Sequence, residues 1–350
     1  MAEAHSSDRN PSSKTLRFLN ELPLSPALFS LGVAALASGV VLIAEVASGR
    51  LEWIAANSVD GLRNIRLVFG FIALLAYLPT ATLYVLRGAW RTADEVRPLL
   101  RLDDVDVRDQ VDAIGTQPVP AFRIAGWTGV VVALMIPLLV DLPRGEFSYA
   151  LNQPLETIWH RVATPIVGWW AGRLGYLILL ESRRLSNLAK GLRNIDLFDL
   201  DPLLPFARQG LTHALFLIGF VSIFAVMSFF EVGFGPAVGL ITLVILPGAV
   251  FGMLLPVRGV HHVIRDEKQR RLAVCRQRIR CLQADAGTDL DSDVTRELTE
   301  VLTLRSHLEA VREWPFDVSV AARLAVYLVI PLVSWAGAAV VERAVNAFLG

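Results

Sequence analysis

Cysteine, lysine and charge are all scarce in this chain of 350 residues. The two cysteines, Cys275 and Cys281, lie in a basic segment that we expect to face the cytosol, which favours reduced thiols over a disulfide. Charged residues make up 19% of the chain, below the roughly 25% of soluble domains, whereas apolar residues make up 54%. The net charge of zero provides no general attraction to nucleic acid, so we expect no nucleic-acid partner.

Motifs of the common catalytic and cofactor sites are also missing. No His-Glu-x-x-His pair occurs, and the HHVIRDE stretch at 261–267 lacks the spacing that places two imidazoles on one helix face. The absence of a Gly-x-x-x-x-Gly-Lys-Ser/Thr loop disfavours ATP-driven transport by this chain alone. Neither a Cys-x-x-Cys pair nor a Gly-x-Ser-x-Gly elbow is present. We therefore expect no catalytic residue, cofactor or metal of a known type, and the enzyme class is disfavoured.

Seven apolar stretches are the main positive feature of the sequence. A helix needs about 20 mostly apolar residues to cross roughly 30 Å of hydrocarbon, and backbone groups in lipid must be satisfied within the helix. The sequence therefore predicts an all-α, polytopic transmembrane bundle with spans at 27–48, 66–86, 124–140, 164–180, 211–230, 236–256 and 319–341.

Basic residues are distributed unequally between the two sides that these spans create. Twenty-five of the 33 lie in the N-terminal tail and in segments 87–123, 181–210 and 257–318, whereas six lie on the other side. Because cytosolic loops retain positive charge, the N-terminus is predicted inside and the C-terminus outside. Scarce lysine beside abundant arginine and alanine is typical of a GC-rich bacterial genome, so the expected location is the bacterial inner membrane.

The chain is expected to divide into a membrane bundle and cytosolic parts. Apolar residues at spacings of three and four run from Val257 to Leu282 and from Val294 to Val311, the pattern of two helices in a coiled-coil-like pair. A turn-like break at 286–289 separates them, which predicts an antiparallel helical hairpin. The predicted parts are a polar cytosolic tail at 1–26, the first six spans at 27–256 with cytosolic segments 87–123 and 181–210, the cytosolic hairpin at 257–317, and the last span at 319–341.

Arg173 lies near the centre of the fourth predicted span, where a charge disfavours insertion. Glu45 and Glu231 are its candidate partners. Two interpretations remain open: a structural arginine that is paired or bound to carbonyls, and a substrate-binding residue for a small anion. His213 lies near a span end and is expected to reach the interface without a role of its own.

Small residues four apart predict close helix contacts in three places. They are Gly168 with Gly172, Gly235 with Gly239, and Gly248 with Gly252. These pairs fit ordinary packing within the chain or a homodimer seam.

Charged clusters outside the spans suggest two ligand types. The segment 257–281 holds eight basic residues against two acidic ones, and its candidate contacts to anionic lipid are Arg258, Arg265, Lys268, Arg270 and Arg271. The same charges also fit a role in topology alone. Three carboxylates, Asp196, Asp199 and Asp201, suggest either a divalent cation or the wet face of an interfacial helix.

Three stretches of the C-terminal half are familiar together: GRLGYLILLESRRLSNLA at 172–189, IDLFDLDPLLPFARQGL at 195–211, and EWPFDVSVAARLAVYLVIPLVSWAGAAVVERAV at 313–345. They resemble a group of uncharacterised bacterial multi-pass inner-membrane proteins. The resemblance implies an inner-membrane location and brings no catalytic or binding residue with it.

Three functions follow as hypotheses. The first is a membrane-embedded interaction or signal-coupling component that acts through the cytosolic hairpin, with the lipid bilayer and a protein as its partners. The second is a transporter or channel for a small anion that uses Arg173. The third is a lipid-acting membrane enzyme built on Asp196, Asp199 and Asp201. The sequence ranks them in this order.

Overall fold

The described part of the chain is helical and contains no β-strand, which confirms the all-α class. The structure is a computed structural model, and it describes residues 11–21, 25–47, 59–141, 155–193, 195–228, 236–285 and 292–315, with residues 322, 325–327 and 329. Its α-helices are α1 (Lys14–Glu21), α2 (Pro26–Ala47), α3 (Val59–Val96), α4 (Val105–Ala113), α5 (Val119–Asp141), α6 (Leu155–Leu188), α7 (Leu204–Ser228), α8 (Pro236–Asp285) and α9 (Ser292–Ala310). Short 3₁₀ turns follow α3 and α6 and precede α7.

Among the described residues, four helices are long and apolar enough to cross a membrane, which indicates a membrane protein. Each of them contains an apolar stretch of 18 residues, within Pro26–Ile43 of α2, Val68–Leu99 in and after α3, Asp201–Ala225 in and before α7, and Thr242–Ala284 of α8. The predicted span at 124–140 lies in α5, whose described apolar part, Val119–Met135, is shorter. The predicted span at 164–180 lies in α6, which is not among the four; a central arginine lowers the hydropathy of this helix. The predicted span at 319–341 lies almost wholly outside the described residues.

The core is deepest where α6 packs between α3, α5 and α8. Its largest buried side chains include Trp90, Phe122 and Leu185. The outer helix α2 differs from the core helices. It packs on α3, and only 6% of the residues in its apolar stretch Pro26–Ile43 are buried. Leu31 and Leu36 of α2 are 66% and 72% exposed, which places large apolar side chains where hydrocarbon rather than water would solvate them.

Several helix ends meet at one end of the bundle. The segments that follow α3 and α6 pair through Leu100 and Leu192, and the Arg193 N–H donates to the Leu99 carbonyl at 2.8 Å. Arg208 at the start of α7 reaches Glu95 at the end of α3. We call this the arginine-rich end, because segments 87–123 and 181–210 converge on it.

The short helix α1 also docks at this end, although the composition of residues 1–26 predicts only a polar tail. Leu16 and Leu19 of α1 are buried in the main core, and Asn20 accepts a hydrogen bond from Arg87 Nε at 3.2 Å. The N-terminal segment is therefore part of the packed structure from Lys14 onward.

A turn at 114–117 is held rigidly between α3 and α6. Gly115 has a φ of 82°, and a side chain there would overlap the Trp90 ring, whose Nε1 donates to the Ile114 carbonyl at 3.1 Å. On the other side, the Gly115 N–H donates to the buried Glu181 carboxylate at 3.3 Å, and Arg184 bonds both Glu181 and the Thr116 carbonyl. These contacts anchor the entry to α5.

Candidate functional site between α8 and α9

The helix α8 runs without interruption from the bundle to a contact with α9. Its 50 residues give a length of roughly 75 Å at about 1.5 Å per residue. Two contacts show the relative direction of α8 and α9. Arg278 Nε donates to Glu297 at 2.8 Å, and Lys268 Nζ donates to the Glu309 carbonyl at 3.0 Å. Because residue numbers rise along one helix as they fall along the other, α8 and α9 are antiparallel where they touch.

The contact between the two helices is partly apolar. Every apolar residue that the periodicity of the first arm singles out is buried: Val257, Val260, Ile264, Leu272, Cys275, Ile279 and Leu282. From α9, Leu308 is buried in the same cluster as Leu272 and Cys275, and Val301 is partly buried against that cluster. The predicted helical periodicity therefore corresponds to a real contact face.

A groove remains open between the two helices, with a volume of about 360 Å³. Its floor is apolar, formed by Val274 and Cys275 of α8 with Leu304 and Leu308 of α9. Val274 is 63% exposed and Leu304 is 44% exposed, so apolar surface is available to a partner.

Three charged side chains complete the lining of the groove. Glu267 lies beside both arginines, with Arg271 Nε at 2.8 Å from Oε1 and Arg270 Nη2 at 2.9 Å from Oε2. Partial burial alone would raise the pKa of Glu267, but the bonds from Arg271 and Arg270 outweigh it and hold this pKa below its ordinary value. Arg271 also donates to the Ile195 carbonyl at 3.3 Å, whereas the side chain of Arg270 is 76% exposed. The rim thus presents positive charge.

The five candidate contacts to anionic lipid have different surroundings. Lys268 is mostly buried and donates to the Glu309 and Val311 carbonyls, where it caps the end of α9. Arg270 and Arg271 are the groove arginines that pair with Glu267. Arg258 and Arg265 are exposed. Three of the five therefore have partners within the chain, and the proposed lipid role rests on the other two.

Arg173 is buried in α6, with 5% of its surface exposed. Its guanidinium lies over the Trp169 ring at 4.2 Å and the Phe122 ring at 4.7 Å from the ring centroids, and cation–π attraction stabilises such an arrangement. Its Nε has no hydrogen-bond partner among the described residues. Glu231 and the side chain of Glu45 lie outside the described part, so the predicted pairing stays a prediction.

The glycine pairs differ in what they contact. Gly168 and Gly172 pack against Gly129 and the Ala125 carbonyl of α5, and a methyl group at either position would overlap that backbone. Gly252 has ordinary contacts with α6 and α7, and Gly248 has open space around it. Gly235 and the surroundings of Gly239 are outside the described part. The face of α6 that carries Gly168 and Gly172 is covered by the same chain.

A buried polar network in the bundle is a feature that sequence reasoning missed. His213 is fully buried, not at the interface as expected. Its Nδ1 lies 2.9 Å from Ser182 Oγ, and its Nε2 lies 2.8 Å from Gln209 Nε2, which also donates to the Val85 carbonyl. If Gln209 donates to Nε2, the proton of a neutral imidazole is on Nδ1 and faces Ser182. This polarity does not activate the serine, so the network connects α3, α6 and α7 structurally.

The three aspartates of the possible metal site do not converge. Asp196, Asp199 and Asp201 are all exposed, and Asp196 and Asp199 accept hydrogen bonds from backbone N–H groups two residues further on. Residues 195–200 form a turn-rich segment, not an interfacial helix. Among the described residues no group of three or more His, Cys, Asp or Glu is arranged to hold a metal ion. This geometry does not favour the enzyme hypothesis.

No family model, curated protein or solved structure matches this chain. The resemblance of its C-terminal half to inner-membrane proteins therefore stays a prediction.

Proposed function

We propose that this chain is a multi-pass protein of the bacterial inner membrane that binds a partner protein in the cytosol and couples it to the bundle. In this proposal the chain has seven spans, with its N-terminus inside and its C-terminus outside. Residues 257–317 form a cytosolic helical hairpin, and the groove between α8 and α9 receives the partner. The four apolar helices and the distribution of arginine support this arrangement.

The continuity of α8 is the observation that carries the proposal. One helix contains both the apolar stretch that begins at Thr242 and the groove residues from Glu267 to Cys275. In this proposal, a partner that shifts the groove end of this continuous helix also shifts its bundle end, where Gly252 and Met253 pack against α6 and α7. Helix displacement of this kind is an established means of coupling.

The chemistry of the groove indicates the type of partner. An apolar floor accepts apolar side chains spaced along one face of a helix, and the exposed Arg270 favours carboxylates beside them. From residue 257 to 281 the basic excess is eight against two, so electrostatic attraction also favours an acidic partner. The occupant is therefore an acidic amphipathic helical segment of another protein.

Site-specific photocrosslinking in cells tests this proposal. A photoreactive residue at Val274 should crosslink a partner, and the crosslinked peptide should be acidic and amphipathic when identified by mass spectrometry. Leu304→Glu should reduce the yield at least tenfold, because it charges the apolar floor. Leu302→Glu is the matched control, since Leu302 is equally exposed on α9 at 46% but does not line the groove. A crosslink to lipid or to a second copy, or equal loss with both variants, would contradict the proposal.

Transport of a small anion remains the second candidate, and the unpartnered Nε of the buried Arg173 favours it. Arg173 does not line the groove between α8 and α9. In liposomes containing the protein, anion flux should fall for Arg173→Ala and fall less for Arg173→Lys. Absent flux in the unaltered protein would remove this candidate.

A further inference from the structure

A second cavity lies at the arginine-rich end, between α3, α7 and the first residue of α2. Its volume is about 320 Å³, and its charged lining consists of Arg87, Arg91 and Glu95 of α3 with Arg208 of α7. We propose that this cavity binds the phosphate group of an anionic phospholipid from the cytosolic leaflet. The site is separate from the groove between α8 and α9 and from the arginines considered for lipid contact there.

The charge balance of the cavity is the first argument. Three guanidinium groups face a single carboxylate, and that carboxylate, Glu95, lies 3.4 Å from Arg208. Arg87 is bonded to the neutral Asn20, and Arg91 is exposed with no ion pair in the described part of the chain. Arg87 and Arg91 are four residues apart on one helix, a spacing at which like charges repel. A bound anion would relieve this repulsion.

Tightly packed and hydrogen-bonded residues hold the walls of the cavity in place. The α3 backbone approaches α7 closely at Gly88, where a methyl group would overlap Gln209. Gln209 is itself 3% exposed and is held by the Val85 carbonyl and His213. The buried polar network described above therefore fixes the floor of the cavity. Arginines on a fixed frame suit phosphate, whose oxygens accept two parallel N–H bonds from one guanidinium.

The extent of the cavity favours a lipid over free phosphate. Lining residues of α3 run from Tyr84 to Glu95, which is roughly 16 Å along the helix at about 1.5 Å per residue. Tyr84 is 44% exposed, as suits an aromatic side chain at the level of lipid headgroups. Beside it, α2 begins at Pro26 and exposes Leu28 and Leu31, which offer a path for acyl chains. The placement at the membrane surface rests on the orientation proposed above.

Titration of the full-length chain in detergent tests the site without relying on that orientation. Short-chain phosphatidylglycerol should bind at least tenfold more tightly than short-chain phosphatidylcholine, whose headgroup has no net charge. Arg91→Gln should weaken phosphatidylglycerol binding about fivefold, and Arg91→Gln with Arg208→Gln about 25-fold, since one surface charge contributes about 1 kcal/mol. Arg97→Gln with Arg101→Gln is the matched control and should change binding less than twofold, because neither arginine lines the cavity.

One variant is expected to bind phosphatidylglycerol more tightly, and poor folding of a variant would not produce such a gain. Glu95→Gln removes the only carboxylate among the described lining residues, so phosphatidylglycerol should bind about threefold more tightly. Weaker binding in this variant, equal binding of the two lipids, or equal losses in the control would overturn the proposal. Inorganic phosphate should compete at least 100-fold less effectively than the lipid. Equal competition would assign the site to a soluble phosphate and overturn the lipid source.

Discussion

The polar residues of the bundle and those of α8 and α9 are alike in type but differ in their surroundings. In the bundle, Glu181, Ser182 and His213 are fully buried, and each bonds a fixed partner on another segment. Along α8 and α9, Arg278 pairs with Glu297, and the two side chains are 55% and 41% exposed. Polar groups therefore hold the bundle together in one region and remain partly exposed to solvent in the other.

The helices of the bundle also approach each other more closely than α8 and α9 do. In the bundle, α5 and α6 approach so closely at Gly129 and Gly172 that neither position has room for a methyl group. Between α8 and α9, side chains keep the helices apart and a groove of about 360 Å³ remains. The proposed coupling requires both properties, a free surface for the partner and tight packing that passes on the movement of a helix.

The largest effect is expected where the bundle is tightest. Gly172→Val should lower stability by about 3 kcal/mol, because the side chain overlaps the Ala125 carbonyl and forces α5 from α6. Gly175→Val is the control on the same helix, since nothing lies within 4 Å of the added Cβ. Thermal unfolding in detergent measures both. Equal unfolding midpoints for the two variants would show that close approach does not distinguish the bundle.

A smaller effect is expected from the charge of Glu181, one residue beyond the predicted fourth span. Burial raises its pKa from an ordinary value of 4.5 to about 7, although Arg184 and the Gly115 N–H act in the opposite direction. A raised pKa in the folded state means that this carboxyl favours folding most below pH 4.5 and loses that contribution as the pH rises through about 7.

The pH dependence of unfolding checks this expectation. Between pH 4.5 and 7, the unfolding midpoint of the unaltered chain should fall relative to that of Glu181→Gln, whose side chain does not titrate. Glu300→Gln, which changes an exposed carboxylate of α9, should keep the profile of the unaltered chain. A pH profile that Glu181→Gln leaves unchanged would contradict the burial argument.

The smallest effect is expected between α8 and α9. A double-mutant cycle with Arg278→Gln and Glu297→Gln should give a coupling free energy below about 1 kcal/mol, because both side chains are exposed and solvent screens them. The coupling should weaken further in high salt. A coupling above about 2 kcal/mol would mean that the pair is as tightly held as the bundle, and the contrast between the regions would fail.

Local periodicity predicted the helices well where each helix is long. The residues from Val257 to Leu282 alternate at spacings of three and four, and the buried face of α8 follows that pattern. The all-α class follows from the same information, because apolar stretches of this length satisfy their backbone groups only as helices.

The short helix α1 was not predicted, and its length explains why. Eight residues are too few for a helix to be stable on its own, and only Leu16 and Leu19 mark its buried face. Its stability comes from packing on α3, some 70 residues further along the chain, at Arg87 and its neighbours.

The roles of His213 and Glu181 were equally unreadable from the sequence. A histidine near a span end commonly reaches the interface, but here Gln209 and Ser182 meet it inside the bundle. Ser182 is 31 residues away in the chain, and the Gly115 N–H that binds Glu181 is 66 residues away. Pattern reasoning follows neighbours in sequence, so it does not detect partners at such distances.

The amino-acid sequence by itself determined the helical class, the positions of the apolar helices and the basic character of the segment from 257 to 281, because each depends on residues close together in the chain. Only the tertiary structure decided which arginines are already bonded, which glycines are covered, and where the groove between α8 and α9 and the cavity at the arginine-rich end lie. Arg91 of α3 and Lys268 of α8 are both basic residues on long helices, yet one lines an open cavity and the other caps α9. The two residues differ because different helices, distant in the chain, pack beside them, and local composition does not determine which helices those are.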